Sequence, residues 1–129
     1  MKRIFNPGDQ KVYIRKITED DLATFHGELL HTVYATFALA RDFEWSSRLF
    51  FLEMKEPEEE GVGTFLQIHH KSPAFAGEEV VIVATVESIV GMELTCHIEA
   101  RVNDRLIADG KTGQRMLKKE RLKMIFTKP

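Results

Sequence analysis

The chain has a single cysteine, Cys96, in 129 residues. An intrachain disulfide and a cysteine-rich metal site are therefore excluded. Long apolar runs are missing too. The longest, Val80–Val86, is interrupted only by Thr85 and falls far short of the roughly 20 residues that cross a bilayer. Met1-Lys2-Arg3 is basic, but Asn6-Pro7-Gly8-Asp9 follows where a signal peptide would need its apolar region. The expectation is a cytoplasmic, soluble protein with no membrane partner. A strong excess of one charge is also lacking, since 18 Lys and Arg face 20 Asp and Glu for a net charge of −2. That balance argues against nucleic acid as the main partner. Hydrophobic residues make up 43% and charged residues 29%, a composition that builds a packed core rather than a disordered chain. The length suits one domain, expected to span residues 1–129.

The charges are unevenly spread. Residues 1–16 carry five basic groups and one acid, and residues 115–129 carry six and one. These ends are either solvated faces or a basic patch for a phosphate-bearing ligand. RNA or a partner protein is the weakest of the three readings.

Lys11 to Ile17 alternates as a half-buried strand does. Thr18 followed by Glu19, Asp20 and Asp21 reads as an N-cap with acids in the first turn of a short helix, ending near His26-Gly27. A second helix runs from about Thr36 to Met54 without Gly or Pro. Its apolar positions, including Phe37, Leu39, Ala40, Phe43, Leu49, Phe50, Leu52 and Met54, cover much of the circumference, as in a helix surrounded by protein. The acid-rich Lys55–Gly61 stretch reads as an exposed loop. Strands follow over Gly63–His70, Glu79–Ile89, Met92–Val102 and Arg105–Met116. In the third of these, six apolar residues from Met92 to Val102 alternate with polar ones, and Asn103-Asp104 makes a tight turn. Gly110 and Gly113 permit a bend or a close backbone approach in the last. One long helix and a mostly antiparallel sheet each need the other's apolar face. The fold class is α+β, hotdog-like, with a curved antiparallel sheet wrapped around one long central helix; a cystatin-like cone is the alternative. One helix leaves sheet edges uncovered, so a homodimer is expected.

Three side chains are candidates for chemistry. Thr36 stands at the long helix's start, where an N-cap is the plain reading. Glu44 lies between Phe43 and Trp45, either solvated or turned into a pocket. His70 follows His69 at a strand end, where one of the two faces inward. For the same reason His69, His70 and His97 make a poor metal set, and no metal is expected. Cys96, at an inward strand position, reads as an inert small hydrophobe.

Taken together, Val33-Tyr34-Ala35-Thr36, Glu44, Val62-Gly63-Thr64, His70, Pro73 and Gly77 resemble the fluoroacetyl-CoA thioesterase family of hotdog proteins. Gly91, Glu99-Ala100 and Ala108-Asp109-Gly110 extend the resemblance over roughly residues 30–117. It implies a Thr-Glu-His catalytic set at Thr36, Glu44 and His70, acting on a short acyl-CoA near a dimer interface. Coenzyme A enters only as part of the substrate, and no other cofactor is implied. The residue types suit the reaction. Histidine manages protons near neutral pH, a carboxylate stabilises the imidazolium, and a hydroxyl attacks or holds the attacking water. Gly63 lets a substrate approach the main chain, where a backbone N–H can stabilise the oxyanion.

Eight helical residues separate Thr36 from Glu44, a rise of about 12 Å and a rotation of about 80°. In one regular helix the two cannot touch the same histidine. Either Thr36 precedes the helix and folds back, or a second chain supplies one member. Phe37 stands where family members commonly have proline, and its bulk either narrows the acyl pocket or joins the core. Trp45-Ser46-Ser47-Arg48 is more polar than the family's usual run, so specificity for a fluorinated acyl group does not carry over. These departures motivate a rival reading, a non-catalytic hotdog module that binds an acyl-CoA or another small apolar ligand. Arg115, Lys118, Lys119, Arg121 and Lys123 either meet the CoA phosphates or form a solvated face.

Overall fold

The computed structural model describes all 129 residues. Seven strands and two helices follow one another: β1 Gln10–Lys16, β2 Leu22–Phe25, β3 Glu28–Tyr34, α1 Thr36–Met54, β4 Glu59–His70, β5 Glu79–Val90, β6 Glu93–Val102, β7 Arg105–Lys118 and α2 Lys119–Ile125. Five strands form one antiparallel sheet in the order β1-β5-β6-β7-β4, and β2 and β3 form a separate hairpin. Helix α1 contacts all five strands of the large sheet. This is the hotdog arrangement expected from the sequence, with β1 and β4 at the two sheet edges.

The α1 boundaries agree with the sequence pattern. Its buried positions are Ala38, Leu39, Asp42, Phe43, Ser46, Ser47, Phe50, Phe51 and Met54, one broad face at helical spacing. Ser46 and Ser47 tolerate burial because their hydroxyls donate to the carbonyls of Phe43 and Glu44 one turn back. Alternate residues of β5 and β6, from Val80 to Val86 and from Leu94 to Val102, cover this face. Cys96 is among them; burial pushes its thiol pKa up to about 12, so it packs as an inert hydrophobe. The helix is not surrounded by its own chain, however. Phe37, Trp45 and Leu52 are 41–49% exposed on the opposite face.

Two further expectations need correction, and one helix was not foreseen. The helix after Thr18 is a single 3-10 turn, Glu19–Asp21, and the chain then enters the β2–β3 hairpin. His26 and Gly27 both have positive φ at the hairpin turn, the geometry of a type I′ turn. The Lys55–Gly61 stretch is an exposed loop only as far as the Pro57-Glu58 turn, and β4 begins at Glu59. Glu59 is 2% exposed and meets the Met1 ammonium at 2.8 Å, while Glu60 accepts from Arg48 and Lys55 and lies in β4. Finally, α2 continues the chain after β7, anchored by buried Leu122.

A buried ionic network joins β1, the 3-10 turn and α1. Arg15 and Arg41 each pair with both Asp21 and Asp42, and these carboxylates are almost fully buried. Burial pushes the Asp21 carboxyl up, but hydrogen bonds from Arg15 and Arg41 outweigh it and hold its pKa far below the usual range. Arg15 faces inward for this reason, leaving Val12 and Ile14 on the outer side of β1. The Tyr34 hydroxyl donates to Asp42, and the Tyr34 phenol stays protonated because burial, with Asp42, raises its pKa.

Stability should therefore depend on these acids. Asp21→Asn leaves two guanidinium groups short of a partner and is expected to cost about 3 kcal/mol in urea unfolding at pH 7. The depressed folded-state pKa values of Asp21 and of Glu60, the latter drawn to about 2 by Lys55 and Arg48, stabilise the protein above the ordinary carboxylate range. Wild-type stability should fall as pH drops below about 4, with a shallower fall in the Asp21→Asn protein.

Candidate active site

Thr36 is the first residue of α1, and the N-cap is Ala35. The Thr36 hydroxyl makes no cap hydrogen bond and instead lies 3.0 Å from His70 Nδ1. Two main-chain bonds fix the approach to this position. The Tyr34 N–H donates to the Ala74 carbonyl and the Ala35 N–H to the Asp21 carbonyl, both at 2.8 Å. Sequence reasoning left Thr36 as a cap or a functional group; the N-cap is one residue earlier, at Ala35, which frees the Thr36 side chain.

His70 reaches Thr36 because of a bulge. The β4–β7 register shifts between Gly63 and Phe65, so Thr64 is the extra residue. In a regular strand Gly63 and His70, seven apart, would point to opposite faces. The bulge reverses the parity and turns both toward α1, while His69 points outward beside Gln67. Burial lowers the His70 imidazole pKa; the Ser72 main chain pulls the other way without hydrogen bonding Nε2, which is buried and has no partner. A neutral ring with its proton on Nε2 leaves Nδ1 as the acceptor for the Thr36 hydroxyl.

Glu44 makes no hydrogen bond to either group. It lines a cavity of about 280 Å³ with Trp45 and Arg48 of α1, Gly63 of β4, and Thr112 and Gln114 of β7. A Cβ on Gly63 would stand 3.2 Å from Glu44 Oε1, so glycine keeps space open beside the carboxylate. Because Thr36 belongs to the regular helix, folding back before it is ruled out as the way to unite all three side chains.

Phe37 is not core. It is half exposed beside Thr36 and packs edge-to-face on Phe25 of the hairpin, with ring centroids 5.6 Å apart. Arg115 pairs with Glu93 and Lys118 with Glu58, while Lys119, Arg121 and Lys123 are exposed on α2. No three His, Cys, Asp or Glu side chains are gathered as a metal site. Sequence reasoning missed Thr112 and Gln114, whose signal was two polar residues on the inward parity of a buried strand.

Residues 17–120 match the family described as FlK, fluoroacetyl-CoA-specific thioesterase. A Thermus thermophilus hypothetical protein, a thioesterase superfamily member, has a TM-score of 0.91 at 28% identity over 96% of this chain and 92% of its own. The fluoroacetyl-CoA thioesterase FlK gives 0.87 at 18% identity, covering 97% of this chain and 98% of its own. A hot-dog-like protein from Thermanaerovibrio acidaminovorans gives 0.85 at 18% identity over 97% and 96%. No curated protein matches the chain.

An NMR titration of the histidine ring protons is expected to place the His70 midpoint below its ordinary value of about 6.5. A midpoint at or above that value would mean that the ring is not desolvated as described.

Proposed function

The chain belongs to the fluoroacetyl-CoA-specific thioesterase family, and from that premise we propose that this thioester hydrolase cleaves a small acyl-CoA with Thr36, Glu44 and His70. The observation that carries the assignment is the 3.0 Å contact between Thr36 Oγ1 and His70 Nδ1. A hydroxyl released from helix capping and held against a neutral imidazole is an activated nucleophile or the cradle of an activated water. His70 Nδ1 takes the proton of the attacking oxygen as that oxygen adds to the thioester carbonyl. The tetrahedral intermediate then collapses, the C–S bond breaks, and the imidazolium returns the proton to the departing CoA sulfur; where Thr36 itself is the attacking oxygen, a water deprotonated by His70 then cleaves the acyl ester, and the proton returned to Thr36 Oγ1 restores the hydroxyl. A main-chain N–H beside Gly63 stabilises the oxyanion, since the missing side chain lets the carbonyl approach.

Glu44 joins this set across a homodimer. Three features of the chain support that reading. β4 is a 12-residue edge strand paired only with β7, so its other edge offers unpaired backbone groups. Phe65 and Leu66, near its middle, are 48% and 39% exposed, and Phe37, Trp45 and Leu52 leave an apolar stripe on α1. A two-fold axis through Gln67 would pair two β4 strands antiparallel and, with Thr64 bulged out of register, set Gly63 of one copy opposite His70 of the other on the same face. Glu44, beside Gly63, would then face the Thr36–His70 pair of the second copy and favour its imidazolium.

The purified protein should release free thiol from a panel of short acyl-CoA thioesters, and His70→Ala should lower kcat/KM by about a hundredfold or more. Saturable binding of the same compounds without thiol release would favour the non-catalytic module. Subunit exchange tests the composite site. When inactive His70→Ala and Glu44→Gln proteins are mixed and allowed to exchange, each heterodimer regains one intact site, and about a quarter of wild-type activity should return. No recovery despite proven exchange would place all three groups in one chain's site.

A further inference from the structure

We propose that the cavity beside Glu44 holds the acyl chain and selects a short one that carries a hydroxyl group on its second or third carbon. The inference rests on the thioesterase reading above and names the substrate class of that same site. An alkyl pocket has an apolar lining, whereas here Trp45 is the only apolar side chain among the cavity residues. The inner wall carries two polar groups whose hydrogen bonding is incomplete. Thr112 is 1% exposed, and its hydroxyl has no hydrogen-bond partner. Gln114 is 6% exposed and donates from Nε2 to Ser47 Oγ at 2.9 Å, its only side-chain hydrogen bond, so its amide oxygen remains free.

The unpartnered hydroxyl has no local remedy. Thr112 lies on an interior strand, paired with Leu66 of β4 on one side and Cys96 of β6 on the other. The neighbouring carbonyls are therefore committed to the sheet. Valine would fill the same volume without burying a polar group, so packing alone does not account for threonine here. A rotation of χ1 to another staggered well would carry the hydroxyl into the place of a different Cβ substituent, and so bring it toward the cavity that Thr112 lines. A ligand hydroxyl, both donor and acceptor, matches an alcohol and an amide oxygen together.

Charge narrows the class to a neutral chain. Arg48 is already paired with Glu60, and Arg41 with Asp21 and Asp42. The Glu44 carboxylate has no ion-pair partner and would repel an anionic acyl group. The volume of about 280 Å³ lies at the low end for small-molecule sites and suits a chain of few atoms. A plain alkyl chain would strip water from Thr112 and Gln114 and return no hydrogen bond, the situation in which a binding site discriminates strongly.

The test separates recognition from hydrolysis by using two kinds of probe. Hydrolysis is read as thiol release from 3-hydroxybutanoyl-CoA and butanoyl-CoA. Recognition is read as Kd, by calorimetry, for the matching thioethers that cannot be hydrolysed, S-(3-hydroxybutyl)-CoA and S-butyl-CoA. The hydroxylated member of each pair should be favoured about tenfold or more. Thr112→Val should bring both ratios to within about twofold, and Thr112→Ser, which keeps the hydroxyl, should preserve them. Equal Kd values in the wild type, or a ratio unchanged in folded Thr112→Val, would overturn the inference and leave buried water as the partner of Thr112. Selective thioether binding without thiol release from any thioester would support the polar pocket and sink the hydrolase reading. Absence of binding by either thioether would overturn the pocket assignment.

Discussion

The pairing of two buried carboxylates with two guanidinium groups is the interaction on which the proposed site depends. Asp21 is the last residue before the hairpin, and its main-chain carbonyl receives the Ala35 N–H just after the hairpin ends. The thirteen residues between, 22–34, thus leave from and return to one anchor. Arg15 holds that anchor to the sheet, Arg41 holds it to the helix, and Asp42 takes the Tyr34 hydroxyl two residues before Thr36. Burying charge is costly, and the network is tolerable only because each acid meets both arginines. The return is positional: the start of α1 is pinned from three sides, and the hydroxyl of Thr36 is delivered to an imidazole rather than to its own backbone.

The helix also has two unlike long faces. Its buried face is an ordinary apolar stripe, with two serines satisfied by carbonyls one turn back. Its other face alternates Phe37, Trp45 and Leu52 with Arg41, Glu44 and Arg48, a mixture that suits neither a core nor a fully solvated surface. The polar cavity opens beneath this second face. Chemistry and apolar exposure therefore share one side of the molecule, the side on which the free edge of β4 also lies beside Gly63 and His70.

What could be read from the chain followed the strength of the local period. The absence of Gly and Pro from Thr36 to Met54 made α1 legible to its ends, and six alternating apolar residues made β6 legible. The hairpin was missed because Thr18 and three acids imitate a helix start, while their real task is to place Asp21 between arginines. The signal that could have found it was His26-Gly27, a pair suited to positive φ. Glu59 and Glu60 looked solvated because their partners, Met1, Arg48 and Lys55, are distant or unremarkable in sequence.

By itself the sequence determined the fold class, the long helix, the strand-rich second half and the kinds of side chain available for chemistry, since these follow from composition and short-range periodicity. Tertiary structure alone decided which of those side chains meet. A single bulged residue, Thr64, reverses the facing of everything after it in β4, and no period in the sequence announces that reversal. The contact between Thr36 and His70 spans 34 positions and exists only because a sheet register and a helix start are fixed independently and brought to the same place. Local propensity acts within a turn or a strand; register is set by what the whole core accepts.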